Sequence, residues 1–432
     1  MTPTRIKLWD SVTLSAIKTD KFKTGMLSIS LAMPLTRKLT ANNMLLSGVL
    51  RRGSEEFPSA ALLNRRLDEL YASAVEIKNV RHGKTEVLIF SADMLDNAFV
   101  SDGTDILDGV AQLLAQVLQH PLTENGHFPA ETVKKEKIHV RDAIKAEMNN
   151  PKAYSRHRCT ELLHKNDDDF PTLESLEADV ISADELSLYE HYKNLLANAS
   201  VDIFYVGSES IETVAQKIKR HFAEFGASQS RQISPVAESA GELKEVTEPF
   251  EVSQGKLVMG FRTGVCATDS EYFATVLFNE IFGGSPASKL FMNVRERLSL
   301  CYYCASSYDT YLGNLIVSSG IDVANFDTAR TEILAQLDEI KQGKISEAEL
   351  VAAKKSIAHW YRQMYDFPFE LFAFYSTRAM LGIDASPEDY MARFEAVSVD
   401  EIVSAAKRVT LEVVYFLKGT LENDGEYEEA DE

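Results

Sequence analysis

The chain has 432 residues, a length that suits two cores of roughly 200 residues better than one. Its 65 acidic against 45 basic residues give a formal charge of −20, which disfavours nucleic-acid backbones and anionic membrane surfaces as partners. Hydrophobic residues make up 45%, yet no run approaches the roughly 18 consecutive apolar residues of a membrane span, and four cysteines are too few for a disulfide framework.

Residues 1–23 mix charges with isolated apolar positions and lack the continuous apolar core of an export signal, so a reducing cytoplasm is the expected location. A strand is predicted over 25–33, a helix near 41–51, then a second helix, a hairpin-like strand pair and long amphipathic helices. Ser182 stands two residues before Asp184-Glu185, as a helix N-cap would, and the helix leads to a closing strand over 201–206 that ends at Gly207. The polar stretch 226–235 breaks the pattern, and Gly241 follows. The order then repeats at a register of about 216 residues: a strand over 256–261, a helix near 269–282, Ser398 before Asp400-Glu401, and a strand over 412–417 ending at Gly419. Agreement in element order points to duplication. The expected class is α+β, two homologous domains, each a mostly antiparallel sheet covered by helices. The domains are expected at 1–222 and 249–420, joined by a linker over 223–248. An acidic tail, 421–432, is expected to be disordered.

Several local patterns invite a chemical reading. Cys301-Tyr-Tyr-Cys304 is a C-x-x-C, but it reads as strand rather than helix start. Residues three apart on a regular strand point to opposite faces, so these thiols are expected not to meet. His157, Cys159 and His164 cluster in sequence, yet no carboxylate or second cysteine has metal-ligand spacing, so they read as helix-surface residues. Phe282-Gly-Gly-Ser285 lacks the Gly-Lys-Ser/Thr ending of a phosphate loop and reads as the N-terminal turn of a helix.

Three segments resemble the insulinase (pitrilysin-type) zinc peptidase family. Residues 282–302 carry a Gly-Gly turn, a helix with Arg295, and Tyr302 seven residues later. Residues 45–54 resemble the stretch around the family's metal-binding helix, and residues 133–151 the helix that supplies its third zinc ligand. With the duplication, the resemblance spans about residues 20–420. The family's chemistry rests on H-x-x-E-H, in which two histidines one turn apart bind zinc and the glutamate activates the bound water. Counting back from Gly53-Ser54 puts the first histidine at Met44, the glutamate at Ser47 and the second histidine at Gly48. Counting from Glu136-Lys137 puts the third ligand at Ala143. None of these side chains can do that work, and neither H-x-x-E-H nor H-E-x-x-H occurs anywhere in the chain.

What remains is Arg295 and Tyr302. In the resembling family this pair holds bound peptide and stabilises the carbonyl oxygen as it gains charge, by a fixed cation and a phenol O–H. The resemblance therefore implies no catalytic residue, metal or cofactor in this chain. It implies a substrate-binding pair offered to a zinc-bearing paralogue in a heterodimer that cleaves peptides, with neither nucleic acid nor membrane as partner. It runs closest to bacterial inactive two-domain members, some associated with modification of elongation factor P. The alternative is a scaffold or a stand-alone peptide-binding protein built on the same fold.

Overall fold

The computed structural model describes residues 1–223, 225, 233, 235 and 237–421. Most of the polar stretch 226–235, and the acidic tail from residue 422, lie outside the described residues. The first half runs β1 (Thr4–Trp9), β2 (Val12–Lys18), β3 (Thr24–Pro34), α1 (Arg37–Leu50), α2 (Ala60–Glu69), β4 (Ala74–His82) and β5 (Thr85–Leu95). It continues with α3 (Ile106–Gln119), α4 (Ala130–Met148), α5 (Pro151–Leu163), α6 (Leu173–Ser182), α7 (Glu185–Asn198), β6 (Ser200–Gly207) and α8 (Ile211–His221). The second half opens with β7 (Lys244–Phe250), β8 (Gly255–Arg262) and α9 (Tyr272–Asn279). Two π-helical segments follow, Glu280–Gly284 and Leu290–Arg297, then β9 (Cys301–Asp309) and β10 (Asn314–Ile321). The half closes with α10 (Phe326–Lys341), α11 (Glu347–Gln363), α12 (Pro368–Met380), α13 (Pro387–Ala396), α14 (Val399–Arg408) and β11 (Thr410–Gly419).

The two sheets repeat one topology. The first has strand order β1-β2-β6-β3-β5-β4, the second β7-β11-β8-β10-β9. Each is antiparallel except at one parallel pair, β2 with β6 and β7 with β11. The central strands read as a centre requires: β3 is buried from Gly25 to Ala32, on both faces, because helices cover both. The edge strand β4, with Glu76, Lys78 and Arg81, is largely exposed, and such charges blunt an edge against further pairing. Lys244–Glu248 was expected to be linker; instead it forms most of β7, which pairs along β11 from Val413 to Gly419. Half-buried and exposed positions alternate along it, and Val246 and Phe250 pack against the buried cluster of the sheet, a pattern that composition obscured.

Two compact units result, and they interleave along the chain. One comprises residues 1–144, 169–234 and 362–386; the other comprises 145–168, 235–361 and 387 onward. Helix α5, from the first half of the sequence, therefore lies in the second unit, and α12, from the second half, lies in the first. Both start with proline at the first helical turn, where its missing N–H costs nothing. Cys159 and Leu163 of α5 are buried among Val258, Ile316, Val413, Tyr415 and Leu417 of the second sheet. Phe372 of α12 meets Phe204 of β6 edge-on, with ring centroids 5.7 Å apart.

Ser398 caps α14 as expected, with Glu401 reciprocating. Ser182 does not cap its counterpart. Its hydroxyl donates back to the Asp179 carbonyl at 2.9 Å and closes α6, while the Asp184 carboxylate caps α7 by accepting from Ser187 N–H at 2.7 Å. An ionised carboxylate two residues nearer the helix is the stronger acceptor, and it takes the cap.

Candidate functional site

Helix α1 carries Met44, Ser47 and Gly48. Leu39, Leu45, Leu46, Val49 and Leu50 hold it in the core of the first unit. Beneath it lies a polar layer. Thr40 donates to Glu86 at 2.7 Å, and Asn43 accepts from the His191 ring N–H at 2.8 Å. Glu86 also receives the amide of Asn79, and burial raises its pKa. Ser47 spends its hydroxyl on the Met44 carbonyl at 2.8 Å, which leaves it no proton to move.

Gly48 is where the helix meets α4. A Cβ added there would lie 2.2 Å from Oε2 and 2.8 Å from Cδ of Glu136, so the Glu136 carboxylate fills the space that a side chain at 48 needs. Glu136 is 5% exposed and accepts from Arg52 Nε at 2.5 Å. A cation from the end of α1 thus neutralises a buried carboxylate. Ala143 lies two turns further along α4 and is exposed. These residues do not fit a zinc ion: Gly48 and Ala143 bring no donor, and the carboxylate against Gly48 is held by Arg52. Sequence reasoning used Glu136 only as a counting mark. The glycine facing it and the arginine four residues later were the available signals.

In the second unit, Leu290–Arg297 winds as a π-helix, a form that recurs at functional positions. It closes where Ser299 takes a left-handed conformation, φ 50°, with Ser299 N–H bonded to the Arg295 carbonyl and Leu300 N–H to that of Val294. This turn feeds directly into β9, so Arg295 and Tyr302 come to line one cavity of about 390 Å³, with Glu296, Ser299, Leu300, Cys301 and Asp322. Arg295 is half-exposed; its guanidinium stacks 4.6 Å from the Phe291 ring centroid, and its Nε lies 3.7 Å from Glu296. Tyr302 is 47% exposed. A cation and a phenol in one open cavity can hold a carbonyl or carboxylate oxygen. Phe282-Gly-Gly-Ser285 closes a helix rather than opening one, because the next helix starts only at Leu290. A Cβ on Gly283 would come within 2.7 Å of Ser306 N, so β9 itself demands the glycine.

The thiols of Cys301 and Cys304 do meet, contrary to the strand argument. The register runs Ser319 with Cys304, Gly320 with Tyr303, then Ile321 with Cys301, so Tyr302 is an extra residue in a β-bulge. The bulge restores both cysteines to one face. The neighbouring Cys304 thiol and the charge of Arg295 lower the Cys301 pKa, while Cys304 is pushed well up.

His157, Cys159 and His164 are not brought together. His157 turns to Glu147 and Glu161, Cys159 enters the core, and His164 bonds Asn314 at 2.7 Å. Among the described residues, His164, Asp167 and Glu238 do place donor atoms within 4.8 Å of one another. Arg262 lies 2.9 Å from Glu238 and already supplies a cation there. The same guanidinium bonds Glu412 at 2.8 Å and Asn314 at 2.6 Å, which makes this a structural network under α5.

Among the described residues, no helix is long and apolar enough to cross a membrane. Residues 182–357 match the family model described as the peptidase M16 inactive domain. The chain is 32% identical over 416 residues to the "Probable inactive metalloprotease YmfF" of Bacillus subtilis, covering 95% of this chain and 96% of that protein. A crystal structure of a conserved protein from Enterococcus faecalis superposes with a TM-score of 0.89 at 28% identity, over 98% of this chain and all of that one. An M16 inactive domain from Pseudomonas fluorescens shares the fold, with a TM-score of 0.77 at 16% identity over 98% and 99% of the two chains. The chain belongs to the M16, or insulinase, peptidase family, among its inactive homologues.

Proposed function

We propose that this chain is the non-catalytic subunit of a heterodimeric peptidase, in which a zinc-bearing paralogue supplies the metal and this chain supplies Arg295 and Tyr302 to hold the peptide. The observation that carries the reading is a contrast within one molecule. The positions proposed to match the zinc ligands, Met44, Gly48 and Ala143, offer no usable donor, and Gly48 faces a carboxylate already paired with Arg52. The cavity with Arg295 and Tyr302 remains open. A binding pair without a metal has a use only beside a metal supplied by another chain. Fixed donors aimed at a developing oxyanion are worth about 10²–10³-fold each when they act on the transition state.

The test is peptide cleavage by the pair reconstituted with its zinc-bearing paralogue. The Arg295→Ala, Tyr302→Phe double variant should lose at least about 10²-fold in kcat/KM. It should still co-elute with the partner on size-exclusion chromatography. A double variant with full activity removes the shared-site reading and leaves the chain as a scaffold.

A further inference from the structure

The meeting of Cys301 and Cys304 has no part in peptide holding, and it places two thiols of different character side by side. Cys301 is half-buried and lines the Arg295–Tyr302 cavity, whereas Cys304 is 2% exposed and lies behind it. The bulge at Tyr302 puts them on one face, with Ser319 directly across the ladder from Cys304. Tyr303, the other residue between them, is anchored: its ring takes Lys152 Nζ at 4.6 Å and packs where any side chain on Gly320 would have to sit. The segment 301–304 is thus held with both thiols on one face of β9 and its first cysteine at the cavity wall.

We propose that Cys301 and Cys304 form a reversible dithiol–disulfide pair in the wall of the Arg295–Tyr302 cavity, oxidised by a low-molecular-weight disulfide that enters through that cavity. The Cys301 thiolate attacks one sulfur of the incoming disulfide and expels the other half as a thiolate. Cys304 then attacks the Cys301 sulfur of the mixed disulfide, its proton passing to the second departing thiolate. The two protein thiols are oxidised by two electrons, and one external disulfide is reduced to two thiols. The order is set by access, since only Cys301 reaches the cavity. It is supported by electrostatics: Arg295 and the Cys304 S–H favour the Cys301 thiolate. Cys159 and Cys266 are both buried, and burial raises both thiols, so neither competes. The proposal stands without a partner subunit.

The full chain, reduced and then freed of reductant, is incubated with oxidised glutathione, denatured in N-ethylmaleimide and digested with trypsin. Cys301 and Cys304 are the only cysteines between Arg297 and Arg330 and so share one peptide. That peptide should be lighter by two hydrogens and carry no maleimide, and dithiothreitol should reverse this. Peptides with Cys159 and Cys266 should be fully alkylated. In Cys304→Ser the Cys301 peptide should retain one glutathione; in Cys301→Ser, Cys304 should be recovered alkylated by maleimide. A wild-type peptide with both cysteines alkylated, or with a glutathione on Cys301 and no internal bridge, overturns the proposal. The wild-type arm decides by itself, so the result does not depend on either variant folding.

Discussion

The two copies of one sheet topology differ in what they close and what they leave open. In the first unit, helix α1 is closed over: Gly48 admits the Glu136 carboxylate, and Arg52 neutralises it. In the second, the π-helix that carries Arg295 ends in a left-handed turn and leaves a cavity. On the proposed reading, loss of a metal site is more than the loss of ligands: the acid left against α1 is neutralised by Arg52, just past the helix. The proposed binding pair rests on a separate turn and strand.

Each side of this contrast can be broken. The largest effect belongs to the network that holds α5 on the second sheet. Arg262→Met leaves Glu412 and Glu238 without their guanidinium. It should destabilise the protein by about 3–5 kcal/mol in chemical denaturation, as loss of one partner from a buried pair does. An unchanged unfolding midpoint would show that the packing of Cys159 and Leu163 suffices. Next comes the cavity itself: Arg295→Ala should cost the reconstituted pair about 10²–10³-fold in kcat/KM, whereas Ser47→Ala should leave activity unchanged. Equal losses from both would erase the division of labour between the halves.

Restoring histidine at 48 sharpens the comparison from the closed side. Gly48→His must displace Glu136 from Arg52, and overpacking of this kind costs roughly 1–3 kcal/mol. With Met44→His and Ala143→Glu added, the chain should still hold no stoichiometric zinc by metal analysis. One tightly held zinc per chain would mean that the ligands alone were missing. The smallest effect is confined to acid. Burial lowers the His191 pKa from 6.5 to about 4 while its ring donates to Asn43 beneath α1. The folded state binds this proton less tightly than the unfolded one, so the contribution is complete above about pH 6.5 and is lost as pH falls toward 4. His191→Gln keeps a donor for Asn43 and should recover up to about 2 kcal/mol of the stability lost between pH 7 and pH 5. Identical acid sensitivity in variant and parent would put the proton elsewhere.

Much of this was legible in the chain. Runs such as Gly25–Ala32, made only of small or apolar residues, mark central strands, and the repeated order of elements follows from that patterning alone. The proposed zinc positions without donors, and the proposed pair Arg295 and Tyr302, rest on residue types and spacing, because metal chemistry has few acceptable donors. Other expectations failed where a local rule met a neighbour. Ser182 is a good cap by type, but Asp184 outcompeted it. Lys244–Glu248 looked like linker until a parallel partner strand was present to pair with it.

The sequence by itself determined the repeated element order and the class of fold, and it supplied the proposed readings of positions 44, 48, 143, 295 and 302. All of these depend on residue identity and periodicity, which are local. Only the tertiary structure decided that α5 and α12 serve the sheets of the opposite halves, since the burial of Cys159 or Phe372 does not say which sheet provides it. It alone set Glu136 against Gly48, and it alone brought Cys301 to Cys304. A bulge is defined by the pairing of two strands, and one extra residue against Gly320 and Ile321 reverses the face on which every earlier side chain falls.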